Sequence, residues 1–350
     1  MAEFGFQWHI TNLCNLRCRH CYQNDFTDND DLDTEINRRI VNIISENLSD
    51  RQISINITGG EPLLRQDIFA ILDCLDEIGN VREYNIITNA LPLNEKKVKR
   101  LETCTKLKQI KISLECSDSA LNDSIRGKGS FKKIMSNFER LKEFSTKQKV
   151  LMFTLGSYNY KHLLVHPHLN PPPSRGREGW GGMLAFSEKA GADAVIIERF
   201  VPLGQGIELK EHFLKKEEWL RVVEDIIEFC DLNIAPEELL PYKAFYIELR
   251  QGHHREVHGA LCNLGEESMA LMPNGDIFPC RRTPVKIGNI LSDDFNDILI
   301  RLKLLRESFN QNLKGSCNNC SVLECIGCRA LSYALTGDLY EADRQCYLNK

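Results

Sequence analysis

Three cysteines near the N-terminus are spaced by three and then two residues, at Cys14, Cys18 and Cys21, directly after the apolar segment 6–10. Thiolates are strong ligands for iron, and three of them hold only three irons of a four-iron cube. The fourth iron would then be open to a small chelating molecule. The alternatives are three ordinary buried thiols or a structural zinc site, which normally has four closed ligands, whereas this cluster offers three cysteines and His20. The spacing therefore favours an iron–sulfur site.

A second set of cysteines lies near the C-terminus. Its seven members surround a predicted hairpin over 269–280, whose tight turn is Asn274-Gly275. A domain this small cannot bury much apolar core without metal, and disulfides are rare in the cytosol. Zinc ribbons use four cysteines per ion, so seven cysteines fit iron–sulfur clusters better than zinc. These cysteines are Cys262, Cys280, Cys317, Cys320, Cys325, Cys328 and Cys346.

Glycine and polar motifs follow several predicted strands. Gly59-Gly60-Glu61-Pro62 follows the second strand, Thr88-Asn89 ends the third, and Ser113-Leu114-Glu115 ends the fourth. A pair of glycines lets the backbone approach a ligand closely, and the loops at the strand ends of a barrel are where sites form. Taken alone, the glycine motif is also compatible with a simple turn, and Arg126 with a solvated surface charge.

Alternating strand-like and helix-like segments position these residues. In the segment 34–48, for example, four isoleucines would share one helix face. Such alternation implies parallel strands with crossover helices, which is an α/β fold. Composition alone does not separate a partial (β/α)6 TIM-like barrel from a doubly wound sheet. The predicted strands are 6–11, 53–58, 83–88, 109–114, 150–155 and 193–198, and the predicted helices between them are 34–48, 66–78, 94–104 and 131–144.

The bulk composition limits the class of protein. A chain of 350 residues is long enough for one large α/β domain and a smaller one. The formal net charge of −5, without a basic block, argues against general nucleic-acid binding. We find no signal peptide and no apolar run long enough to span a bilayer, so we expect a soluble, cytoplasmic protein. Four cysteines stand alone and are predicted to be core residues: Cys74, Cys104, Cys116 and Cys230.

One segment breaks the alternation. Residues 166–182 carry four prolines and four glycines, a density that no helix or central strand tolerates. They fall where the fifth crossover helix is expected, and joining Val165 to Met183 restores an unbroken helical pattern that stops at Gly191. We therefore predict that 166–182 is a disordered, dispensable insertion, the alternative being a substrate lid.

The first cysteine motif, Cys-x3-Cys-x2-Cys after a first strand, resembles the signature of radical S-adenosylmethionine (SAM) enzymes. In that family SAM chelates the open iron, and an electron from the 4Fe–4S cluster cleaves SAM to a 5′-deoxyadenosyl radical, which abstracts hydrogen from the substrate. The strand-end motifs are similar to the family's SAM-binding elements, and six strand–helix units fit its partial (β/α)6 barrel. The resemblance implies that SAM is bound by His20, Gly59, Gly60, Glu61, Asn89, Ser113, Glu115 and Arg126.

The C-terminal cysteines resemble the SPASM domain, which follows radical SAM cores and carries auxiliary 4Fe–4S clusters. The middle cysteines are spaced by four and two residues where that domain usually has five and three, so the division of ligands and the number of clusters, one or two, stay open. The resemblance implies one cluster on Cys317, Cys320, Cys325 and Cys346, and a second on Cys262, Cys280 and Cys328.

Three regions follow from the two resemblances. A radical SAM barrel is expected over 1–210, a helical linker over 211–260, and a small SPASM-like iron–sulfur domain over 261–350. The first cysteine set lies near the start of the expected barrel, and the second lies in the expected C-terminal domain.

The function that the resemblance implies is a radical SAM enzyme that modifies a peptide or protein side chain, because SPASM domains most often accompany peptide modification. Alternatives within the family are a haem-pathway decarboxylase of a tetrapyrrole side chain and a sulfatase-maturing enzyme. Alternatives from other classes are an iron–sulfur electron carrier and a zinc-stabilised binding module, neither of which needs a SAM pocket. The expected partners are the peptide or protein substrate and a flavodoxin- or ferredoxin-type reductant, with no nucleic acid and no membrane.

Overall fold

Six parallel strands form the centre of the fold in a computed structural model, which describes residues 2–144, 146–164, 182–249, 255–323 and 325–348. Each strand pairs in parallel with the next along the chain, so the order in the sheet follows the order in the sequence. The predicted α/β fold with a partial (β/α)6 barrel is confirmed. The strands are β1 (Glu3–His9), β2 (Gln52–Thr58), β3 (Val81–Thr88), β4 (Leu107–Ser113), β5 (Gln148–Leu155) and β6 (Ala194–Arg199).

Helices connect these strands and cover the outside of the sheet. The first one begins where the Asp33 side chain accepts a hydrogen bond from the Ile36 N–H, and it buries Ile40, Val41 and Ile44 at helical spacing. Because each crossover returns the chain in the same direction, all six strands end at the same edge. The helices are α1 (Thr34–Asn47), α2 (Ile68–Glu77), α3 (Glu95–Glu102), α4 (Ser119–Arg126), α5 (Ser130–Arg140) and α6 (Met183–Ala190).

The linker predicted over 211–260 is helical only in its first half. Helix α7 (Lys216–Phe229) buries Trp219, Val222, Val223 and Ile226. The second half corrects the prediction, because β7 (Ala244–Leu249) pairs antiparallel with β6, and β8 (Arg255–Ala260) pairs with β7. Strand β7 alternates half-buried and buried residues, which is a strand pattern, but six residues are too few to stand out from the polar sequence around them.

The C-terminal region joins the opposite edge of the same sheet. Strand β9 (Ser268–Leu271) pairs in parallel with β1, β10 (Asp276–Phe278) is antiparallel to β9, and β11 (Gly288–Asn289) follows. The predicted hairpin is confirmed, and Gly275 in its turn has φ +85°, a conformation that favours glycine. The shared sheet holds the C-terminal cysteines against the barrel.

Two helices complete the C-terminal region, α8 (Phe295–Asn312) and α9 (Arg329–Thr336). The four isolated cysteines are buried, as predicted for core residues. Across the described ranges, no helix is both long and apolar enough to cross a membrane.

The predicted insertion 166–182 lies outside the described residues, apart from Gly182. Its flanks are close together: the Leu184 N–H donates to the Leu163 carbonyl at 3.3 Å. If 166–182 were removed, these two residues would stand four positions apart, which is the spacing of an α-helical hydrogen bond. Without residues 166–182, the two flanking segments would therefore be spaced as parts of one helix.

Deleting residues 166–182 is expected to preserve the fold and to raise the melting temperature slightly. The Leu184–Leu163 hydrogen bond would become part of a continuous helix. A shorter connection also has a smaller entropic cost of loop closure. Thermal unfolding of the deletion variant tests this, with deletion of 168–182 as a control that shifts the helix register by two residues. A deletion variant that folds and binds SAM but no longer modifies its substrate would instead identify 166–182 as a substrate lid.

Candidate functional site

A cavity opens at the edge where the six parallel strands end. After β1 it is lined by the loop that carries the N-terminal cysteines, and each later strand contributes a residue at or just beyond its end. Crossover connections bring these distant positions together, as expected for the carboxyl end of a barrel. The contributions include Gly59 from β2, Asn89 from β3, Glu115 from β4, Thr154 from β5 and Glu198 from β6.

Cys14, Cys18 and Cys21 line this cavity together. Burial raises the pKa of Cys18 to about 11, although the nearby Arg126 guanidinium opposes the rise. Burial also raises the pKa of Cys14 and of Cys21. In the metal-free chain these thiols are therefore protonated at neutral pH, and binding of iron would release their protons. Three thiols beside an open cavity fit a cluster with one iron left free for another ligand.

The glycine pair after β2 holds the cysteine loop in place. The Gly60 N–H donates to the Thr11 carbonyl at 2.8 Å. A Cβ atom on Gly59 would come within 2.2 Å of the Thr11 oxygen, and one on Gly60 within 2.2 Å of the Leu13 oxygen. Only glycine permits this close approach of the two backbones, so the pair determines where the loop starts.

Glu115 joins two other predicted site residues in a buried charged group. Its Oε1 atom lies 2.7 Å from NH1 of Arg126 and 3.3 Å from Nε2 of His20, and Glu115 is only 1% exposed. Burial lowers the pKa of His20 against the attraction of Glu115. Arg126 is thus a buried partner of Glu115 and not a solvated surface charge. Ser113 lines the same cavity.

Two nitrogens of this group remain available to a ligand. In the described part of the chain, His20 Nδ1 and Arg126 Nε are buried without a hydrogen-bond partner. Buried polar atoms are normally paired, so their position on the cavity wall fits a polar small molecule bound beside the cysteines. The residues present are therefore compatible with SAM.

Glu61 has a different position from the other predicted residues. Its carboxylate is fully buried and accepts hydrogen bonds from Thr88 Oγ1 at 2.7 Å and from the Asn89 N–H at 2.6 Å. The Asn89 side chain in turn donates to Asn15 Oδ1 at 2.8 Å and contacts the Cys14 sulfur at 3.8 Å. Glu61 therefore positions the loop after β3 against the cysteine loop, and direct contact of Glu61 with a cofactor stays a prediction.

A second cavity, of about 350 Å³, lies between the barrel and the C-terminal region. Cys262, Cys280 and Cys328 line it, together with Phe6 and Gln7 of β1. Burial, followed by the neighbouring thiol of Cys328, raises the pKa of Cys262 to about 12. These three cysteines are the group predicted to hold one auxiliary cluster, and the structure brings them together.

Asp343 lies close to two members of the other predicted group, Cys317 and Cys346. Its backbone N–H donates to the Cys317 sulfur at 3.5 Å, and Lys243 donates to the Cys325 sulfur at 3.5 Å. Burial and the nearby Asp343 raise the pKa of Cys346, and Cys320 is exposed. The division of the seven cysteines between two clusters stays a prediction.

Asp343 connects the barrel to both cysteine groups, through its carboxylate to Cys328 and its backbone N–H to Cys317. Its Oδ2 atom accepts a hydrogen bond from the Cys328 N–H at 2.8 Å and forms an ion pair with Arg199, at the end of β6, at 3.2 Å. The Arg199 and Asp343 side chains are 4% and 1% exposed. Burial opposes ionisation of Asp343, but Arg199 and Lys243 hold its pKa down at about 2. The stabilisation is therefore present above the ordinary carboxyl pKa and is lost as the pH falls towards 2.

Replacing Asp343 with alanine is expected to destabilise the chain by about 3–5 kcal/mol at neutral pH, because it leaves the Arg199 charge buried without its carboxylate. Anaerobic urea unfolding measures the change. Asp338→Asn is the matched control, since Asp338 forms an exposed ion pair with Lys314 at 2.6 Å and its loss should change stability little. Equal stability losses in the two variants would contradict a special role for the Arg199–Asp343 pair.

Sequence reasoning missed several residues that line the cysteine cavity. Arg281 and Arg282 reach it from the C-terminal region, and Tyr22, Glu198 and Thr154 line it from the barrel. Glu198 and Thr154 lie at strand ends, so the rule that identified Ser113 also applies to them. Arg281 and Arg282 directly follow Cys280, but the sequence does not show that the hairpin turns them towards the barrel.

Comparison with known families matches residues 8–166 to the radical SAM superfamily and residues 262–321 to the SPASM iron–sulfur cluster-binding domain. These ranges contain the N-terminal cysteine triad and the first four C-terminal cysteines.

Similar proteins extend over nearly the whole chain. The AdoMet-dependent heme synthase of Methanosarcina barkeri is 24% identical over 97% of this chain and 95% of its own length. The mycofactocin maturase MftC of Mycobacterium ulcerans is 24% identical over 99% of this chain and 88% of its own length. Among solved structures, SuiB of Streptococcus suis bound to SAM has a TM-score of 0.68 at 18% identity, covering 99% of this chain and 77% of SuiB. SuiB bound to its precursor peptide SuiA gives a TM-score of 0.65 at 17% identity, with 99% and 76% covered.

Proposed function

The chain is a radical SAM enzyme with a C-terminal SPASM domain, and from this premise we propose that it modifies a side chain of a peptide or protein. These two domains imply a SAM-binding 4Fe–4S cluster and auxiliary iron–sulfur clusters. When bound, the first cluster and SAM supply a 5′-deoxyadenosyl radical that abstracts hydrogen from a substrate. The protein's own contribution is to bind, orient and enclose the reacting groups.

Cys14, Cys18 and Cys21 are the proposed ligands of the catalytic cluster, because they line one cavity with a polar wall beside them. His20 and Arg126 are proposed to contact SAM through the nitrogens that have no hydrogen-bond partner among the described residues. Glu115 holds both side chains in place through contacts of 3.3 Å and 2.7 Å. Gly59, Gly60, Asn89 and Ser113 complete the proposed SAM pocket, since all four line the cavity.

The observation that supports a peptide substrate is the likeness across both domains to peptide-modifying proteins. The similarity to the mycofactocin maturase covers 99% of this chain, and SuiB, which has the same fold, is known bound to a precursor peptide. The cavity has walls from both domains, because Arg281 and Arg282 line it together with barrel residues. A substrate beside SAM would therefore contact the SPASM domain as well as the barrel.

The proposal is tested by incubating the anaerobically reconstituted chain with SAM, dithionite and short peptides encoded beside its gene. A SAM-dependent mass change on one peptide residue is the expected result. Because the heme synthase of Methanosarcina barkeri is a similar protein over 97% of this chain, a tetrapyrrole with propionate side chains is assayed in parallel. If only the tetrapyrrole is converted, the proposal of peptide modification is wrong and tetrapyrrole decarboxylation takes its place.

A flavodoxin- or ferredoxin-type protein is the proposed electron donor, since cleavage of SAM needs an electron that the chain itself does not supply. A reducing compartment such as the cytoplasm is the proposed location. The proposed cluster ligands must stay reduced, and thiols stay reduced where disulfides do not form.

Ser113→Ala and Glu115→Gln are expected to weaken SAM binding at least about tenfold while leaving the iron content unchanged, because a lost contact to a charged group is worth ~1.5–3 kcal/mol. Glu115→Gln removes the charge that holds His20 and Arg126, and neither Ser113 nor Glu115 belongs to the cysteine triad. Equilibrium binding of SAM to the reconstituted variants measures the effect. Wild-type affinity in both variants would show that this strand end is an ordinary loop.

A further inference from the structure

A pair of arginines from the SPASM domain reaches the cavity that contains the cysteine triad. Arg281 and Arg282 directly follow Cys280, and both line this cavity with Glu198 from β6. The Arg282 guanidinium lies 2.7 Å from Glu198 Oε2, while that of Arg281 lies 3.6 Å from the same oxygen. Two guanidiniums thus face one carboxylate, which leaves one positive charge in excess.

Arg281 has more unused hydrogen-bonding capacity than Arg282, which donates to Glu198. Its side chain is only 7% exposed, and its guanidinium lies 4.9 Å from the centre of the Tyr22 ring. Among the described residues, this guanidinium donates no hydrogen bond, although it carries five N–H donors. Packing over the Tyr22 ring fixes the orientation of the guanidinium at the cavity wall.

The neighbouring His9 and Lys111 side chains do not balance the excess charge. The His9 ring lies 3.3 Å from the Tyr22 hydroxyl, and burial, with the two arginine charges, lowers the pKa of His9 to about 3, so the ring is neutral. Lys111 on β4 adds a further cation close to Glu198; it donates to Asn56 at 2.7 Å, and burial lowers its pKa to about 8. Apart from the cysteines Cys21 and Cys280 near the arginines, the side chains around Glu198 therefore carry more positive than negative charge.

Building on the proposed function, we propose that Arg281, with Arg282 beside it, binds a carboxylate of the substrate next to the catalytic cluster. A planar guanidinium presents two parallel N–H groups, which match the two oxygens of a carboxylate. A neutral group at this position would leave the excess charge and the free donors uncompensated, so the arginines select against substrates without a carboxylate. In a peptide, the carboxylate is either the C-terminus or an aspartate or glutamate side chain.

Binding of a small carboxylate tests the proposal without turnover. Trifluoropropionate and its neutral amide are titrated into the anaerobically reconstituted, SAM-loaded full chain and followed by fluorine NMR. The acid is expected to bind and the amide to bind at least about tenfold more weakly, in line with hydrogen bonds to charged groups. Equal affinity for acid and amide would overturn the proposal.

Substitutions of Arg281 and of Glu198 are expected to shift the affinity for the acid in opposite directions. Arg281→Gln should weaken it at least about tenfold and Arg281→Lys by less, because lysine keeps the charge without the paired donors. Glu198→Gln should strengthen it, since Glu198 competes for the same guanidiniums. Arg51→Gln is the control, because this arginine also lies over a ring, that of Phe4 at 5.8 Å, but not in the cavity lining.

The same samples separate a carboxylate site from a role in the neighbouring cluster. Iron content and the electron paramagnetic resonance spectrum of the reduced clusters are expected to be unchanged in Arg281→Gln. A changed spectrum with unchanged probe affinity would assign Arg281 to the cluster on Cys280 and overturn the proposal.

The peptide assay then identifies the source of the carboxylate. With a peptide that the enzyme modifies, either C-terminal amidation or replacement of one acidic residue by its amide should raise KM. The change that raises KM identifies the carboxylate that Arg281 binds. If neither change raises KM, the proposal is wrong although peptide modification stands. If no peptide is modified but the acid binds through Arg281, only the peptide function fails.

Discussion

Replacing Cys18 with alanine is expected to abolish cleavage of SAM to 5′-deoxyadenosine, and Cys14→Ala and Cys21→Ala should do the same. Three thiolates are the minimum that holds a four-iron cluster with one iron free, so two thiolates cannot form the site. The C-terminal clusters should remain, because none of their cysteines belongs to the N-terminal triad. Product formation by the dithionite-reduced variants measures the loss.

Cys230→Ala is the matched control for this substitution. Cys230 is a buried cysteine beyond the end of α7, outside the lining of both cavities, so its removal should leave SAM cleavage intact. Wild-type cleavage by any of the three N-terminal variants would refute the assignment of the catalytic ligands.

Removing Cys317 and Cys320 together is expected to lose about four of the roughly twelve irons that three four-iron clusters would contain. It should also destabilise the SPASM domain, because the free energy of ligand binding contributes to the folding of a small metal domain. The Cys317 sulfur accepts hydrogen bonds from the Asp343 N–H at 3.5 Å and from Arg329 at 3.9 Å, so its loss disturbs the contacts around α9 as well. Iron analysis and anaerobic urea unfolding measure the two effects.

SAM cleavage by this double variant should persist, since the catalytic triad is intact. A wild-type chain with about four irons would show that the C-terminal cysteines hold no iron cluster.

The barrel and its catalytic motif could be predicted from the sequence because local patterns specify them. Strands such as β2 and β4 interleave buried isoleucines with polar residues, and Ile40 and Ile44 of α1 show the helical spacing directly. The triad Cys14, Cys18 and Cys21 lies in a single loop, so the spacing of its cysteines alone indicates an iron–sulfur site.

Features that depend on distant contacts could not be predicted in the same way. Strand β8 has no fully buried residue and is defined by its pairing with β7. Arg281 reaches the catalytic cavity only because β9 pairs with β1, across more than two hundred residues of sequence. The motif containing Glu61 was found, but the use of its carboxylate to hold Thr88 and Asn89 is a tertiary contact.

Formation of 5′-deoxyadenosine by the wild-type chain tests the assignment as a radical SAM enzyme most directly. The chain is purified and reconstituted anaerobically, its iron and zinc are measured, and SAM is added with dithionite. The expected result is a coloured protein that contains iron–sulfur clusters and converts SAM to methionine and 5′-deoxyadenosine. A colourless, zinc-containing protein that leaves SAM intact would contradict the assignment.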